Sequence, residues 1–231
     1  MARAAETAKR VPLSRERVIQ AGVALADAGG FESLSMRHLA EDLGAATMAL
    51  YRHVVNKEDL VDGMIDIVFS EIDFPFPAVD WKSAMRQRGV SARAALLRHR
   101  WAIGLMESRI HPGPASAQHH NSTMGSLREA GFSFRSAVHA CNLLDSYTYG
   151  FALQEKYIPF ETPEESAEMA KVTVNDKGGQ FPYLAEVVVE LGKRGYDYTE
   201  EFEFGLDLIL DSLERYKKQL SVSKRTSRSR S

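Results

Sequence analysis

Apolar residues recur at helical spacing from the first well-patterned segment onward. Val18, Ala21, Leu25 and Ala28 fall three and four residues apart, with Ser14 placed to cap the first turn and Gly29-Gly30 to end it. This predicts a helix over 15–28. Ser35 opens a second, shorter helix that turns Leu39, Ala40 and Leu43 inward, and Gly44 supplies the backbone freedom a tight turn needs. A third segment, 47–54, sets Leu50 and Val54 on one face and leaves Thr47, Met48, Tyr51 and Arg52 largely on the other. Asn56 then caps a fourth helix through Leu60, Met64, Ile67 and Val68 to Ile72, with Glu58 and Asp59 at its electropositive start.

Phe74-Pro75-Phe76-Pro77 breaks the pattern, and beyond it the helical segments lengthen. Helices are expected over 81–106, 115–130 and 134–156, bounded by Asp80, by Pro112 and Pro114, and by Gly131 with Ser133. Thr162-Pro163-Glu164-Glu165 is a capping box with proline at the first helical position, which predicts a helix over 163–174, closed by the segment from Asn175 to Gly179. The chain resumes near Tyr183. After Asp197 and Thr199, a last amphipathic helix carries Phe202, Leu206, Ile209, Leu210, Leu213, Tyr216 and Leu220. No segment sustains the two-residue alternation of a strand, so the expected fold is all-α, without an internal repeat.

With 231 residues, 44% of them hydrophobic and 26% charged, the chain can bury one large core or two smaller ones. Its single cysteine, Cys141, excludes an intramolecular disulfide and suits a reducing cytoplasm. No apolar run approaches the ~20 residues a bilayer requires, and the N-terminus lacks the apolar core of a signal peptide, so neither membrane nor export is expected. A net charge of −2 gives no reason in itself to invoke nucleic acid. The distribution says more. Residues 217–231 hold Lys217, Lys218, Lys224, Arg225, Arg228 and Arg230 with no acid, and residues 1–15 hold Arg3, Lys9, Arg10 and Arg15 against Glu6 alone. A flexible basic arm is expected over 1–13 and a disordered basic tail over 221–231; such ends either attract phosphate or only solubilise.

Three short helices before residue 55, the second and third joined at a glycine turn, have the layout of a helix-turn-helix. The third exposes Thr47, Ala49, Tyr51 and Arg52 in place of a Glu/Lys mixture, and this slim, hydrogen-bonding face suits the major groove. His53 and Lys57 follow at the junction with the fourth helix, where imidazole, ammonium and backbone N–H groups suit a phosphate. Leu43-Gly44, Leu50-Tyr51-Arg52-His53-Val54 and Asn56-Lys57-Glu58-Asp59-Leu60 together resemble the DNA-binding domain of the TetR family of transcriptional repressors, over residues 14–72. The resemblance implies base contacts from Arg37, Thr47, Met48, Ala49 and Arg52, and phosphate contacts from Tyr51, His53 and Lys57. Two positions depart from the family pattern: Ala45-Ala46 replaces a polar cap, at a cost of up to ~1 kcal/mol, and Val54 stands where many members carry Phe.

Trp81, Arg98-His99-Arg100, Gly131-Phe132-Ser133, Gly150 and the long last helix resemble the tetracycline-repressor branch of that family. The branch implies that the helices over 134–156 and 202–220 pair with those of a dimer mate as a four-helix bundle, and both carry more apolar surface than one stripe requires. Residues 78–220 are accordingly expected to form a ligand-binding and dimerisation domain. Alignment on Gly131-Phe132-Ser133 puts Glu107 and Gln154 where the branch carries a His and a Glu for magnesium-tetracycline. A different, metal-free small molecule is therefore expected among Trp101, Leu105, Glu107, Thr123, Asn142, Asp145 and Tyr147. Asn142 and Asp145, polar inside an apolar helix, need partners, and a ligand, a dimer mate or water would each serve. Glu107, His111, His119 and His120 make a rival metal grouping, disfavoured by the intervening Pro112-Gly113-Pro114. The chain has no phosphate-cradling glycine loop, no His-Glu-x-x-His and no nucleophile elbow, so no enzyme is expected. The function expected is a cytoplasmic, cofactor-free, homodimeric repressor released from a palindromic DNA operator by a small-molecule effector. An activator of the same fold, or an all-helical enzyme or carrier, is the alternative.

Overall fold

The computed structural model describes residues 12–73, 80–108, 113–160, 162–177 and 181–228, apart from the side chains of Glu107, 171–177 and 220–228. Among the described residues every regular element is helical, in keeping with the expected all-α class. The order is α1 (Arg15–Gly29), α2 (Met36–Asp42), α3 (Thr47–Leu50), α4 (Lys57–Ser70), α5 (Trp81–Arg98), α6 (Pro114–Glu129), α7 (Phe134–Lys156), α8 (Pro163–Lys177), α9 (Pro182–Arg194) and α10 (Tyr198–Arg228), with 3-10 turns at Phe31–Ser33 and Met106–Ser108. Two compact units form. One takes the described residues up to Glu71 and those within 98–119, and the other takes the described residues within 72–97 and from His120 onward.

In the first unit the helix starts are set by local side chains. Ser14 accepts from the Arg17 N–H, Ser35 from that of His38 and Asn56 from that of Asp59. Gly44, at φ +60°, ends α2: its N–H reaches Glu41 O, and the Ala45 N–H reaches back to Ala40 O at 2.9 Å. Val18, Val23 and Ala26 of α1, Leu39 and Ala40 of α2, Leu50 and Val54 of the α3 region, and Leu60, Met64, Ile65, Val68 and Phe69 of α4 are buried. Each large apolar side chain so enclosed contributes ~1.5–3 kcal/mol.

Two segments differ from the sequence expectation here. The helix expected over 47–54 is α-helical only to Leu50. Residues 51–53 then form a tightened turn, with Arg52 N bonded to Ala49 O and His53 N to Leu50 O. The helix expected over 81–106 ends at Arg98, and 99–105 form successive turns, Ala102 N to His99 O and Leu105 N to Ala102 O, both at 2.8 Å. The cause is remote. His99 and Trp101 both bring a ring nitrogen to Asp27 Oδ1, and side chains two apart cannot face one group from a regular helix.

The second unit is built on α5, α7 and α10. Ala84, Met85, Leu127, Phe132, Ala137, Ala140, Leu144, Phe202, Leu206, Leu210 and Leu213 form its core, and the Tyr147 ring stacks on that of Phe202 with centroids 5.4 Å apart. Arg86 joins α5 to Glu203 and Asp207 of α10, and Lys82 joins it to Asp211. The capping box of α8 forms reciprocally, Glu165 N to Thr162 Oγ1 and Thr162 N to Glu165 Oε2. At Gly195, φ +74°, an added Cβ would lie 2.3 Å from Pro163 O, so glycine alone lets the chain turn from α9 against the start of α8. Helix α9, which the sequence reading left unassigned beyond a resumption near Tyr183, starts with Pro182 in its first turn and ends at Gly195. Helices α8 and α10 both run past their expected ends, to Lys177 and Arg228.

Candidate nucleic-acid interface

The α3 segment offers the face its sequence promised. Leu50 is fully enclosed beneath it, while Met48 is 74% and Tyr51 42% exposed, Arg52 is exposed, and Thr47, Ala49 and His53 are partly so. Ala46 provides no side-chain cap; the first turn closes through Ala49 N to Ala46 O at 2.8 Å. Arg37 lies exposed on α2, paired at 2.9 Å with Glu41. An exposed pair of this spacing is worth only a few tenths of a kcal/mol, so the guanidinium is released cheaply to another acceptor. Lys57 is more firmly held. Its ammonium donates to Leu34 O at 2.7 Å and lies 5.1 Å from the centre of the Phe31 ring, so it fastens the head internally as well as facing outward.

The structure brings in a group that the sequence reading had only counted among the basic charges of residues 1–15. Arg15 is the first residue of α1, and its guanidinium forms a two-pronged pair with Asp59 (2.6 and 2.9 Å) while donating to His53 O at 3.0 Å. Asp59 also accepts from the Val55 N–H at 2.8 Å. One carboxylate thus ties the start of α1, the end of the α3 turn and the start of α4. The Arg15 hydrogen bond holds the Asp59 carboxyl below its ordinary range; burial opposes this and the Val55 N–H assists it. A carboxyl depressed on folding contributes stability above its unfolded value of ~3.9 and loses it as pH falls through its folded value. Asp59→Asn is therefore expected to lower the melting temperature at neutral pH and to flatten its decline below about pH 4. Circular dichroism melts from pH 7 to pH 2.5 check this, and an equal difference from the unsubstituted chain at every pH would sink it. Of the other arm residues, Arg3, Lys9 and Arg10 lie outside the described residues, as do positions 229–231.

The residues expected to receive a small molecule fall in both units. Trp101 and Leu105 belong to the first, and Trp101 is buried with its indole N–H on Asp27 at 2.6 Å. The Glu107 side chain and His111 lie outside the described residues. Thr123, Asn142, Asp145 and Tyr147 belong to the second. Thr123 is buried and Asn142 is exposed on α7; Asp145 pairs with Arg88 at 2.6 Å, and the Tyr147 hydroxyl donates to Phe202 O at 3.0 Å. Burial pushes the Tyr147 phenol up. Of the rival metal grouping, His119 is buried against the Phe69 ring and His120 is exposed. Among the described residues no cluster of three His, Cys, Asp or Glu side chains is placed to hold a metal ion.

Comparison with known proteins agrees with this geometry over nearly the whole chain. The family profile described as bacterial regulatory proteins, tetR family, matches residues 18–64, and the one described as tetracyclin repressor-like, C-terminal domain, matches residues 74–216. The HTH-type transcriptional repressor DrrR1 of Streptomyces coeruleorubidus is 32% identical over 87% of this chain and 77% of its own length. The tetracycline repressor protein class C of Escherichia coli is 30% identical over 88% of this chain and 91% of its own. Among solved structures, ActR of Streptomyces coelicolor in complex with actinorhodin superposes with a TM-score of 0.74 at 27% identity, covering 90% of this chain and 99% of that one. The chain belongs to the TetR family of transcriptional regulators.

Proposed function

We propose that the chain is a DNA-binding repressor that acts as a homodimer and leaves a palindromic operator when a small molecule binds. The observation that carries this reading is the 47–52 segment: side chains able to read base edges stand exposed on a short helix whose opposite face is locked into a closed core. Arg37, Thr47, Met48, Ala49 and Arg52 are assigned to base edges, and Tyr51, His53 and Lys57 to phosphates, within a DNA-binding domain of residues 14–72. Residues 78–220 are assigned to ligand binding and dimerisation. The dimer reading is supported by α7 and α10, which bury one face in the second unit's core yet leave Leu143, Leu153, Phe204, Leu208 and Tyr216 exposed. A second copy is the partner whose matching helices would cover such faces by two-fold symmetry.

Responsiveness to a small molecule is supported by the actinorhodin complex of the ActR neighbour. Trp101, Leu105, Glu107, Thr123, Asn142, Asp145 and Tyr147 are the positions assigned to the effector, without a metal. No helix among the described residues is long and apolar enough to cross a membrane, and a cytoplasmic regulator without enzymatic activity is the reading that fits the family. Selection from a randomised double-stranded DNA library, followed by gel shifts, tests the proposal. The expected result is enrichment of a dyad whose half-sites lie about one helical turn apart, bound with steep salt dependence. A library that yields no dyad at low salt overturns it.

A further inference from the structure

The segment offered to DNA is too short to hold its own shape. Thr47–Leu50 is a single α-helical turn, Ala46 gives it no side-chain cap, and residues 51–53 continue it only as a tightened turn. A turn of this length is unstable alone, because its nucleus fixes several residues for one hydrogen bond. Its far end must be held from outside. Leu50 and Val54 are buried and peg it from beneath. The backbone groups on either side of Val54 are met by two side chains remote in sequence: the Arg15 guanidinium donates to His53 O at 3.0 Å, and the Val55 N–H donates to Asp59 Oδ2 at 2.8 Å. Arg15 and Asp59 are joined by two bonds of 2.6 and 2.9 Å, so each fixes the aim of the other. The Asp59 N–H donates to Asn56 Oδ1 at 2.8 Å, which seats the carboxylate on the first turn of α4.

We propose that Arg15 and Asp59 are positioning residues for DNA recognition, holding the 51–55 backbone so that Tyr51, Arg52 and His53 are presented in the geometry DNA requires. The inference rests on the DNA-binding reading given above. Two features carry it. With side chains 44% and 26% exposed, the pair adds little to folding as an ion pair, yet it satisfies two backbone groups that the end of a short helix leaves open. The Arg15 fork is also already engaged, on Asp59 and on His53 O, and is not a spare charge awaiting a phosphate. Asp59 in turn places a negative charge beside the face offered to a polyanion, which on charge alone works against binding.

Positioning and charge therefore predict opposite signs for one substitution. Asp59→Asn removes a negative charge and on electrostatics alone tightens DNA binding; if the carboxylate positions the segment, binding weakens. The test uses the full-length chain and a single half-site duplex from the operator recovered by selection, at low salt and well below the unfolding temperature of each variant. Asp59→Asn is expected to bind the half-site about tenfold more weakly, as when the released turn keeps the reading geometry about a tenth of the time. Its salt slope should remain that of the parent. Arg15→Lys, the milder variant should the first fold poorly, keeps the charge but loses the fork, and is expected to weaken binding about as much. Amide hydrogen exchange gives the local readout: in both variants the Val55 N–H should speed up by more than the N–H groups of Val23 and Val68 inside α1 and α4. Asp59→Asn binding as tightly as the parent, or tighter, overturns the proposal, and so does Arg15→Lys at parental affinity. Equal acceleration at all three amides overturns it too, since it marks a purely stabilising pair. If the unsubstituted chain binds neither half-site nor full operator at low salt, the DNA-binding reading itself falls and this assignment with it.

Discussion

Changing Asp145 to alanine is expected to remove about 3 kcal/mol of folding stability, whereas changing Arg88 and Asp145 together to methionine and leucine should restore most of it. Arg88 lies inside the second unit with its side chain 3% exposed, 2.6 Å from the Asp145 carboxylate. Burial pulls its guanidinium down, and the charge and hydrogen bond of Asp145, together with Tyr149 and Cys141, more than reverse the effect. A guanidinium cannot shed its proton to escape a poor environment. Without Asp145 the cation therefore remains, desolvated and without its carboxylate; with both groups replaced by apolar ones there is nothing left to desolvate. Denaturant unfolding of Asp145→Ala, Asp145→Asn and the double variant gives the comparison. An Asp145→Ala chain within about 1 kcal/mol of the parent would show that water already solvates the pair. The result bears on ligand binding as well: a small molecule that takes hold of Asp145 must compete with Arg88, or offer Arg88 an anion in exchange.

That pair also shows what the sequence could not disclose. The helix starts were legible because Ser14, Ser35, Asn56 and the Thr162/Glu165 box act on backbone groups three residues away. So was the division of the 47–52 segment into an exposed face and a buried Leu50, since that is a local pattern. Arg88 and Asp145 are 57 positions apart, Arg15 and Asp59 are 44, and Asp27 and His99 are 72. A bond of that span leaves no periodic trace. Arg15 consequently reads as one more basic charge near the N-terminus, and Asp27 carries no local signal at all. The overrun of α5 has the same origin. Trp101, Ile103 and Met106 are buried and continue an apolar run, but the carboxylate that stops the helix arrives from α1. Of the two polar residues of α7 expected to need partners, Asp145 meets Arg88 within the chain and Asn142 stands exposed, while Trp101, expected beside a ligand, gives its indole N–H to Asp27.

Arg52→Ala is expected to weaken operator binding about thirtyfold or more while leaving the melting temperature nearly unchanged. Arg52 is exposed in the turn that ends α3, and no core contact depends on it. An arginine on a base edge is worth ~1–3 kcal/mol. A homodimer presents two such side chains to a palindrome, so each substitution removes two contacts and the losses add across well-separated heads. Fluorescence anisotropy on the selected operator and on a scrambled duplex, at several salt concentrations, separates the roles. A base contact shows as a loss confined to the operator, and a phosphate contact as a uniform loss with a shallower salt slope. Binding to both duplexes within twofold of the parent would remove Arg52 from the interface. Lys57→Ala is a poorer probe, because the ammonium also holds Leu34 O and the Phe31 ring. Its loss would disturb the fold of the first unit along with any phosphate contact, whereas Arg52, exposed on the folded chain, would report on DNA contact alone.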